Sequence, residues 1–385
     1  MEVDVGLILL GLPLVFALGW LASRLDLRQL RQENRRAPKA YFRGLNFLLN
    51  EQQDQAIDAF IEAVQGDPDT SELHFALGNL FRRRGEYQRA VRVHEHLLSR
   101  GDLSQADRQR AQHALALDFL KAGLLDRAED ALRKLEGSRF EDQARLALLS
   151  IYERSRDWER AAEVARALQG REVGNFSGRL AHYLCEQAAD ALAQGQPAQA
   201  RERLQRAIST APEAPRARLE LARLELAQGD ARAAWQALVG LLDHAPSAAP
   251  LAASTLVRAA QEAGTTAEAL QRVEQLYAAN PSVDLLEARI ALRTAAGERP
   301  ELAREAYLEH LQREPSLIAA SRWIAQARLD DAQCHTLVQR ALDHAVKPLS
   351  RYRCASCGFE AREHFWHCPG CQAWDSYPPR RVEEL

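Results

Sequence analysis

Apolar and polar residues along most of this chain follow the period of amphipathic helices, and the pattern itself repeats about every 34 residues. Small and apolar residues of one stretch return at the same offsets in the next. The first set is Gly44, Phe47, Ala56, Phe60 and Ala63, and the second is Gly78, Phe81, Ala90, His94 and Leu97. A repeat of this length predicts a series of helix-turn-helix units, each burying its apolar face against its neighbours.

Eight such repeats can be aligned, and all of them have an alanine where the second helix begins. They start near residues 37, 71, 109, 142, 181, 215, 250 and 284. The shared alanines are Ala56, Ala90, Ala128, Ala161, Ala200, Ala234, Ala269 and Ala303. A methyl group lets the two helices of a repeat cross closely, whereas a larger side chain would overpack the crossing.

Prolines mark the ends of several repeats. Five repeats end in a residue that stops the second helix: Pro68, Pro212, Pro246, Pro281 and Pro315. A ninth helical pair, Ser316–Arg328 and Asp330–Val346, lacks the proline and glycine residues that mark helix ends in the other repeats. We expect this pair to cap the stack. The pattern resembles the tetratricopeptide repeat, which implies an all-α superhelical solenoid with a groove lined by the first helices. Such grooves bind peptides or protein segments; a scaffold without a specific groove ligand is the alternative.

The N-terminus predicts a membrane anchor over residues 1–23. Val5 to Ala22 is an uncharged apolar stretch, long enough as a helix nearly to cover a bilayer core of roughly 30 Å. A cleaved signal peptide is the alternative, but Glu2 and Asp4 stand where it would carry basic residues. The basic residues that follow, in and just after a juxtamembrane linker at 24–36, are Arg24, Arg28, Arg31, Arg35, Arg36 and Lys39. By the positive-inside rule, the array at 37–347 is expected in the cytoplasm.

The end of the chain carries two C-x-x-C hooks, Cys354 with Cys357 and Cys368 with Cys371. Two such hooks in one short segment predict a tetrahedral site of four thiolates, with a disulfide pair as the alternative. We place this metal-binding module at 348–378. Zinc is favoured and iron is possible, since both accept four thiolates.

The module is too short to bury a useful core, so a metal is expected to stabilise it. Because four cysteines complete the tetrahedron, we expect a structural metal, with His364 and His367 outside its ligand set. Aromatic residues are expected to dock the module onto the helices: Phe359, Phe365, Trp366, Trp374 and Tyr377. Residues 379–385 are expected to form a separate tail.

Composition and charge narrow the function classes. A net charge of -3 and a pI near 6.4 provide no overall field for nucleic acid. A nucleic-acid-binding zinc ribbon stays as a minor alternative, using Arg351, Arg353, Arg362, Arg380 and Arg381. No phosphate-binding glycine loop, HExxH motif or nucleophile elbow is present, so we expect no enzyme activity. Cys185 and Cys334 are expected to be buried free thiols.

The order of anchor, basic linker, tetratricopeptide array and paired C-x-x-C hooks resembles the lipopolysaccharide assembly protein B family (LapB, also called YciM) over the whole chain. The resemblance implies an inner-membrane regulator that works with the membrane protease FtsH to promote degradation of the deacetylase LpxC. It also implies a rubredoxin-like module with Cys354, Cys357, Cys368 and Cys371 as ligands, and an antagonist membrane protein. A general membrane-tethered scaffold for envelope-assembly enzymes is the alternative, and a homodimer is possible.

Overall fold

A computed structural model describes residue 20 and residues 39–67, 70–171, 174–299, 301–326 and 332–385. The predicted anchor, apart from Trp20, lies outside these residues, as do the basic linker and Pro68. The side chain of Cys334 lies outside them too. Within the described part of the chain, no helix is both long enough and apolar enough to cross a membrane.

The described residues of the array form successive pairs of helices joined by short turns. This confirms the predicted all-α tetratricopeptide solenoid. The N-terminal helices are α1 (39–49), α2 (Gln53–Gly66), α3 (Ser71–Arg84), α4 (Tyr87–Ser99), α5 (Gln105–Lys121), α6 (Leu125–Arg133) and α7 (Glu141–Ser155). The later ones are α8 (Trp158–Leu168), α9 (Ser177–Ala193), α10 (Pro197–Thr210), α11 (Pro215–Ala227), α12 (Ala231–His244), α13 (Ala249–Ala263), α14 (Thr266–Ala279), α15 (Val283–Ala295), α16 (Glu301–Arg313), α17 (Leu317–Ala325) and α18 (Ala332–Leu349).

The chain divides between Ser155 and Arg156 into two compact bodies, which we call the N-terminal and C-terminal bodies. The core of the N-terminal body includes Phe60, Leu77 and Phe81. A larger core in the C-terminal body runs through α11 to α17. Each body therefore buries apolar side chains of its own, as stacked repeats require.

The alanine that opens each second helix behaves as predicted in seven of the eight repeats. Ala56, Ala90, Ala128, Ala161, Ala200, Ala234 and Ala269 are each 0% exposed. Ala303 is only partly buried, and the eighth repeat instead buries Ala306 and Tyr307 on α16. The predicted burial of the opening alanine therefore holds in seven repeats and is wrong for the eighth.

Helix ends also follow the sequence signals. Pro212, Pro246, Pro281 and Pro315 each lie two residues beyond the end of a second helix. The predicted ninth pair is present as α17 and α18. Helix α18 runs to Leu349 with Pro348 in its last turn, two residues beyond the expected end of the array at residue 347.

A buried polar network replaces part of the apolar core between the second and third repeats. His94 takes the position that Phe60 holds one repeat earlier, and its Nδ1 lies 2.5 Å from the Asp118 carboxylate. Arg82 binds the other oxygen of Asp118 at 2.8 Å. The fixed imidazole packs directly onto Gly78, where a Cβ atom would lie 2.5 Å from two ring atoms. Only glycine fits this crossing.

Gly78→Ala is therefore expected to destabilise the protein by about 1–3 kcal/mol, since the ring can retreat only by losing its contact with Asp118. Urea unfolding of the two proteins measures the difference. Gly101→Ala is the matched control, because Gly101 has open space around its Cβ position. Equal stability of the Gly78→Ala protein and the wild type would contradict the proposed packing.

Candidate metal centre

The four predicted cysteines come together at the end of the chain. Their sulfurs all lie within 4.8 Å of one another, with Cys354 3.8 Å from Cys371 and Cys357 3.7 Å from Cys368. These separations exceed a disulfide bond of about 2.05 Å. They match the sulfur–sulfur edge of about 3.8 Å that a tetrahedron with 2.3 Å metal–sulfur bonds has. The four cysteines form a metal-binding site, and zinc and iron both suit it.

The two hooks have nearly the same backbone. The N–H of Gly358 donates to the carbonyl of Cys354 at 2.9 Å, and that of Gln372 donates to the carbonyl of Cys368 at 2.8 Å. Both residues after the hooks have a positive φ, +77° for Gly358 and +61° for Gln372. A glutamine therefore holds the left-handed conformation that glycine provides in the first hook.

Gln372→Gly is accordingly expected to stabilise the module by about 0.5–1 kcal/mol, because glycine adopts this conformation without steric cost. A competition titration with a chelator should show slower loss of the metal from the variant. Gly358→Ala is the reciprocal change, and we expect it to weaken metal retention. The same retention in all three proteins would show that the hook backbone is not strained.

Local hydrogen bonds favour the thiolate form at Cys354 and Cys368. Burial raises the pKa of Cys354, but the Ser376 hydroxyl and the backbone N–H groups of Cys357 and Ser356 outweigh it and lower the pKa to about 6. For Cys368, burial is likewise outweighed by the N–H groups of the second hook, and the pKa is lowered. For Cys357, the N–H of Phe359 lowers the pKa, but burial and the neighbouring cysteines outweigh it and the pKa is raised. A bound cation would find part of its ligand set already deprotonated.

The two histidines near the site are held by backbone groups. His364 Nε2 donates to the carbonyl of Tyr377 at 3.0 Å, and His367 Nε2 donates to that of Gln372 at 2.9 Å. The His367 ring also stacks on Trp374, with centroids 4.3 Å apart. Their role is to brace the loops of the module. They also lie outside the metal-binding group found among the described residues, which consists of the four cysteines.

The rest of the module is a small scaffold for these hooks. Strand β1 (Tyr352–Arg353) pairs with β2 (Glu360–Ala361) in an antiparallel ladder, and an isolated bridge joins His367 to Trp374. Tyr377 is buried and donates its hydroxyl hydrogen to the carbonyl of Phe359 at 3.1 Å. A cluster of four buried side chains is small for a folded unit, as the sequence indicated.

The module packs onto α8 and α9, the first two helices of the C-terminal body. Trp374 stacks on His182 of α9, with ring centroids 4.7 Å apart, and meets Trp158 and Tyr183 edge-on. Trp366 packs against the main core of this body. Two of the predicted docking aromatics therefore make the contact. Phe359 and Phe365 were expected to do so as well, but they are 44% and 37% exposed.

His182 connects the module to a buried charge cluster. Its Nε2 lies 2.8 Å from the Asp375 carboxylate, and its Nδ1 lies 3.5 Å from the guanidinium of Arg216. Since a guanidinium can only donate, Nδ1 accepts and Nε2–H donates to Asp375. Arg216 also binds Glu186 and Glu220, and burial raises the pKa of Glu220. Sequence reasoning missed His182, because nothing near it in the chain indicates a polar contact.

The last residues of the chain hold the module at its other end. Arg381 donates to both oxygens of Asp284 at 2.9 and 3.0 Å, and it lies over the Tyr352 ring at 4.3 Å. Glu383 accepts from the Ser316 hydroxyl at 2.7 Å and from the N–H of Ile318, at the start of α17. Glu384 accepts from the N–H of Val283, at the start of α15. Acidic side chains at helix N-termini are favourable. Residues 380–384 thus form a clasp between the module and the repeats.

These contacts also bear on the nucleic-acid alternative. Of the five arginines it requires, Arg353 is paired with Glu360, Arg380 with Asn280 and Arg381 with Asp284. Carboxylates of the C-terminal body therefore neutralise Arg353 and Arg381, whereas Arg380 contacts a neutral amide. The burial of Cys185 agrees with its predicted role as a buried free thiol, and this burial raises its pKa.

Comparison with known proteins agrees with both parts of this architecture. Residues 352–378 match the family model of a rubredoxin metal binding domain, and residues 73–109 and 191–258 match tetratricopeptide repeat models. The chain is 31% identical to Lipopolysaccharide assembly protein B of Escherichia coli (strain K12), over 97% of this chain and 98% of that protein. It is 28% identical to the Haemophilus influenzae protein of the same name, over 98% and 99%. The solved structure of Naa15/Naa10 bound to HypK-THB is 16% identical, with a TM-score of 0.43, over 82% of this chain and 48% of that one.

Proposed function

Because the chain belongs to the lipopolysaccharide assembly protein B family, we propose that it is an inner-membrane-anchored adaptor that regulates lipopolysaccharide biosynthesis. In this proposal it promotes FtsH-dependent proteolysis of the deacetylase LpxC through protein–protein contacts. The anchor at residues 1–23 makes it a single-pass membrane protein with the array in the cytoplasm. The zinc-loaded module is structural.

One observation carries the adaptor role. The metal module is fixed to α9 of the C-terminal body by Trp374 and by the His182–Asp375 contact. The C-terminal clasp fixes it to α15 and α17. Module and repeats therefore present one preformed surface, which lowers the conformational cost of binding a protein partner. The four cysteines would fill all four positions of a tetrahedral metal and leave none open for a substrate, which suits binding better than catalysis.

Affinity purification of the full chain from bacterial membranes tests the proposal. We expect FtsH or LpxC to be recovered with it, and LpxC to accumulate when the protein is depleted. Recovery of neither protein in repeated experiments would refute the adaptor role. Unchanged LpxC abundance after depletion would instead favour a general scaffold for envelope-assembly enzymes.

A further inference from the structure

A cavity of about 490 Å³ opens between α3 and α5 of the N-terminal body. Phe75, Asn79 and Arg82 contribute from α3, and Arg110, His113 and Leu117 contribute from α5. Successive residues of each set are three or four positions apart in the sequence, so the residues of one helix share one face. We call this site the α3–α5 cavity. Arg139 and Phe140, just before α7, close one side of it.

Two guanidinium groups lie over aromatic rings of the cavity. Arg110 lies 4.1 Å above the Phe75 ring, and Arg139 lies 4.8 Å from the centroid of Phe140. His113 stacks on Phe140, with centroids 4.7 Å apart and planes 11° from parallel. A stacked guanidinium keeps its N–H edges available, and those edges match both oxygens of a carboxylate.

The charge of the cavity favours an anionic group. Its lining side chains include three arginines and no carboxylate. Arg82 is bound to Asp118 beneath it, and Arg110 is bound to Glu72 beside it. Arg139 is exposed and has no carboxylate partner within the described part of the chain. It is therefore the cation that an incoming acidic group meets first, with Arg110 next to it.

We propose that the α3–α5 cavity binds a protein segment in which an aspartate or glutamate lies close to an aromatic or branched aliphatic side chain. The carboxylate binds Arg139 and Arg110, and the apolar side chain rests against the half-buried side chains of His113, Leu117 and Phe140. Gln143 provides an amide for the backbone of the segment, and Asn79 provides its amide N–H groups, since its oxygen accepts from Arg82. This inference rests on the proposed adaptor role and specifies the chemistry of its partner. The volume lies in the range of roughly 300–1,000 Å³ that binding sites usually have.

Selection of phage-displayed random peptides on the full chain in detergent tests the inference. Enriched peptides are expected to carry an acidic residue near phenylalanine, leucine or isoleucine. Synthetic fluorescent copies should bind at least about tenfold more weakly to Arg139→Glu, and more weakly in high salt. Arg83→Glu is the matched control, since Arg83 is the exposed neighbour of Arg82 outside the cavity, and should leave the affinity within about twofold.

Three results would overturn the assignment: no acidic enrichment, binding that is insensitive to both Arg139→Glu and salt, or Arg139-dependent binding of a labelled oligothymidylate that competes with the peptides. Co-purification with FtsH or LpxC is scored separately on the wild type. If it succeeds while the peptide test fails, the cavity assignment alone is wrong. If the peptides bind as expected while neither protein is recovered, the proposed function fails and the cavity assignment stands.

Discussion

A chain with Cys354→Ser and Cys357→Ser is expected to bind no metal and to lose the folded module, while the helices of the array stay folded. Two of the four thiolates are removed, and the remaining pair cannot complete a tetrahedral site. Structural zinc contributes on the order of 10 kcal/mol of apparent binding free energy to small domains. The few buried side chains of the module cannot replace a contribution of that size.

Elemental analysis should show the metal content falling from one ion per chain to none. Trypsin is expected to cut the variant rapidly at Arg353 and Arg362, while far-ultraviolet circular dichroism changes little. Cys185→Ala is the control, because Cys185 is a buried cysteine of α9 outside the metal site, and this variant should keep its metal. Under the proposed function, LpxC should accumulate in cells with the double variant. A double variant with a full metal content would refute the four-cysteine site.

The hooks could be predicted because chelation by two C-x-x-C pairs is a local property. Each pair sets its own turn, and the hydrogen bonds at Gly358 and Gln372 show the same loop used twice. The repeats could also be predicted from the sequence, because close packing of the two helices requires a small residue at a fixed spacing. The buried alanines from Ala56 to Ala269 meet this requirement. The exception is Ala303, in the last repeat before the cap, where the alanine is only partly buried.

The docking of the module could not be predicted from the sequence in the same way. His182 and Asp375 are 193 residues apart, and they meet only because α9 and the loop after the second hook face one another in the folded C-terminal body. Aromatic content indicated that a docking surface exists but not which rings form it. Trp366 and Trp374 point to the helices, whereas Phe359 and Phe365 stay exposed.

The clasp was missed for a related reason. Glu383 and Glu384 look like an ordinary charged terminus in the sequence. Their role depends on the N-termini of α17 and α15, whose unpaired N–H groups open towards the end of the chain. The binding partner of a helix terminus is set by tertiary structure, so one sequence gives no signal for it.

Arg381→Met is expected to release the C-terminal end of the module from the repeats, with a loss of about 2–4 kcal/mol. The substitution removes two hydrogen bonds to Asp284, one to the carbonyl of Ser350 and the contact with the Tyr352 ring. It also leaves the Asp284 carboxylate, whose side chain is only 18% exposed, without its cation. Hydrogen–deuterium exchange of residues 350–385 should therefore become at least about 30-fold faster, because each 1.4 kcal/mol corresponds to a factor of ten.

Arg380→Met serves as the matched control, since this neighbouring arginine donates to the exposed, uncharged Asn280, and its exchange rates should stay near those of the wild type. Asp284→Asn combined with Arg381→Met closes a double-mutant cycle. If the stranded carboxylate causes most of the loss, the second substitution should recover part of the protection. Metal content should remain at one ion per chain in every variant, because the hooks hold the metal independently of the clasp. Exchange that is unchanged in Arg381→Met would mean that Trp374 and His182 fix the module alone.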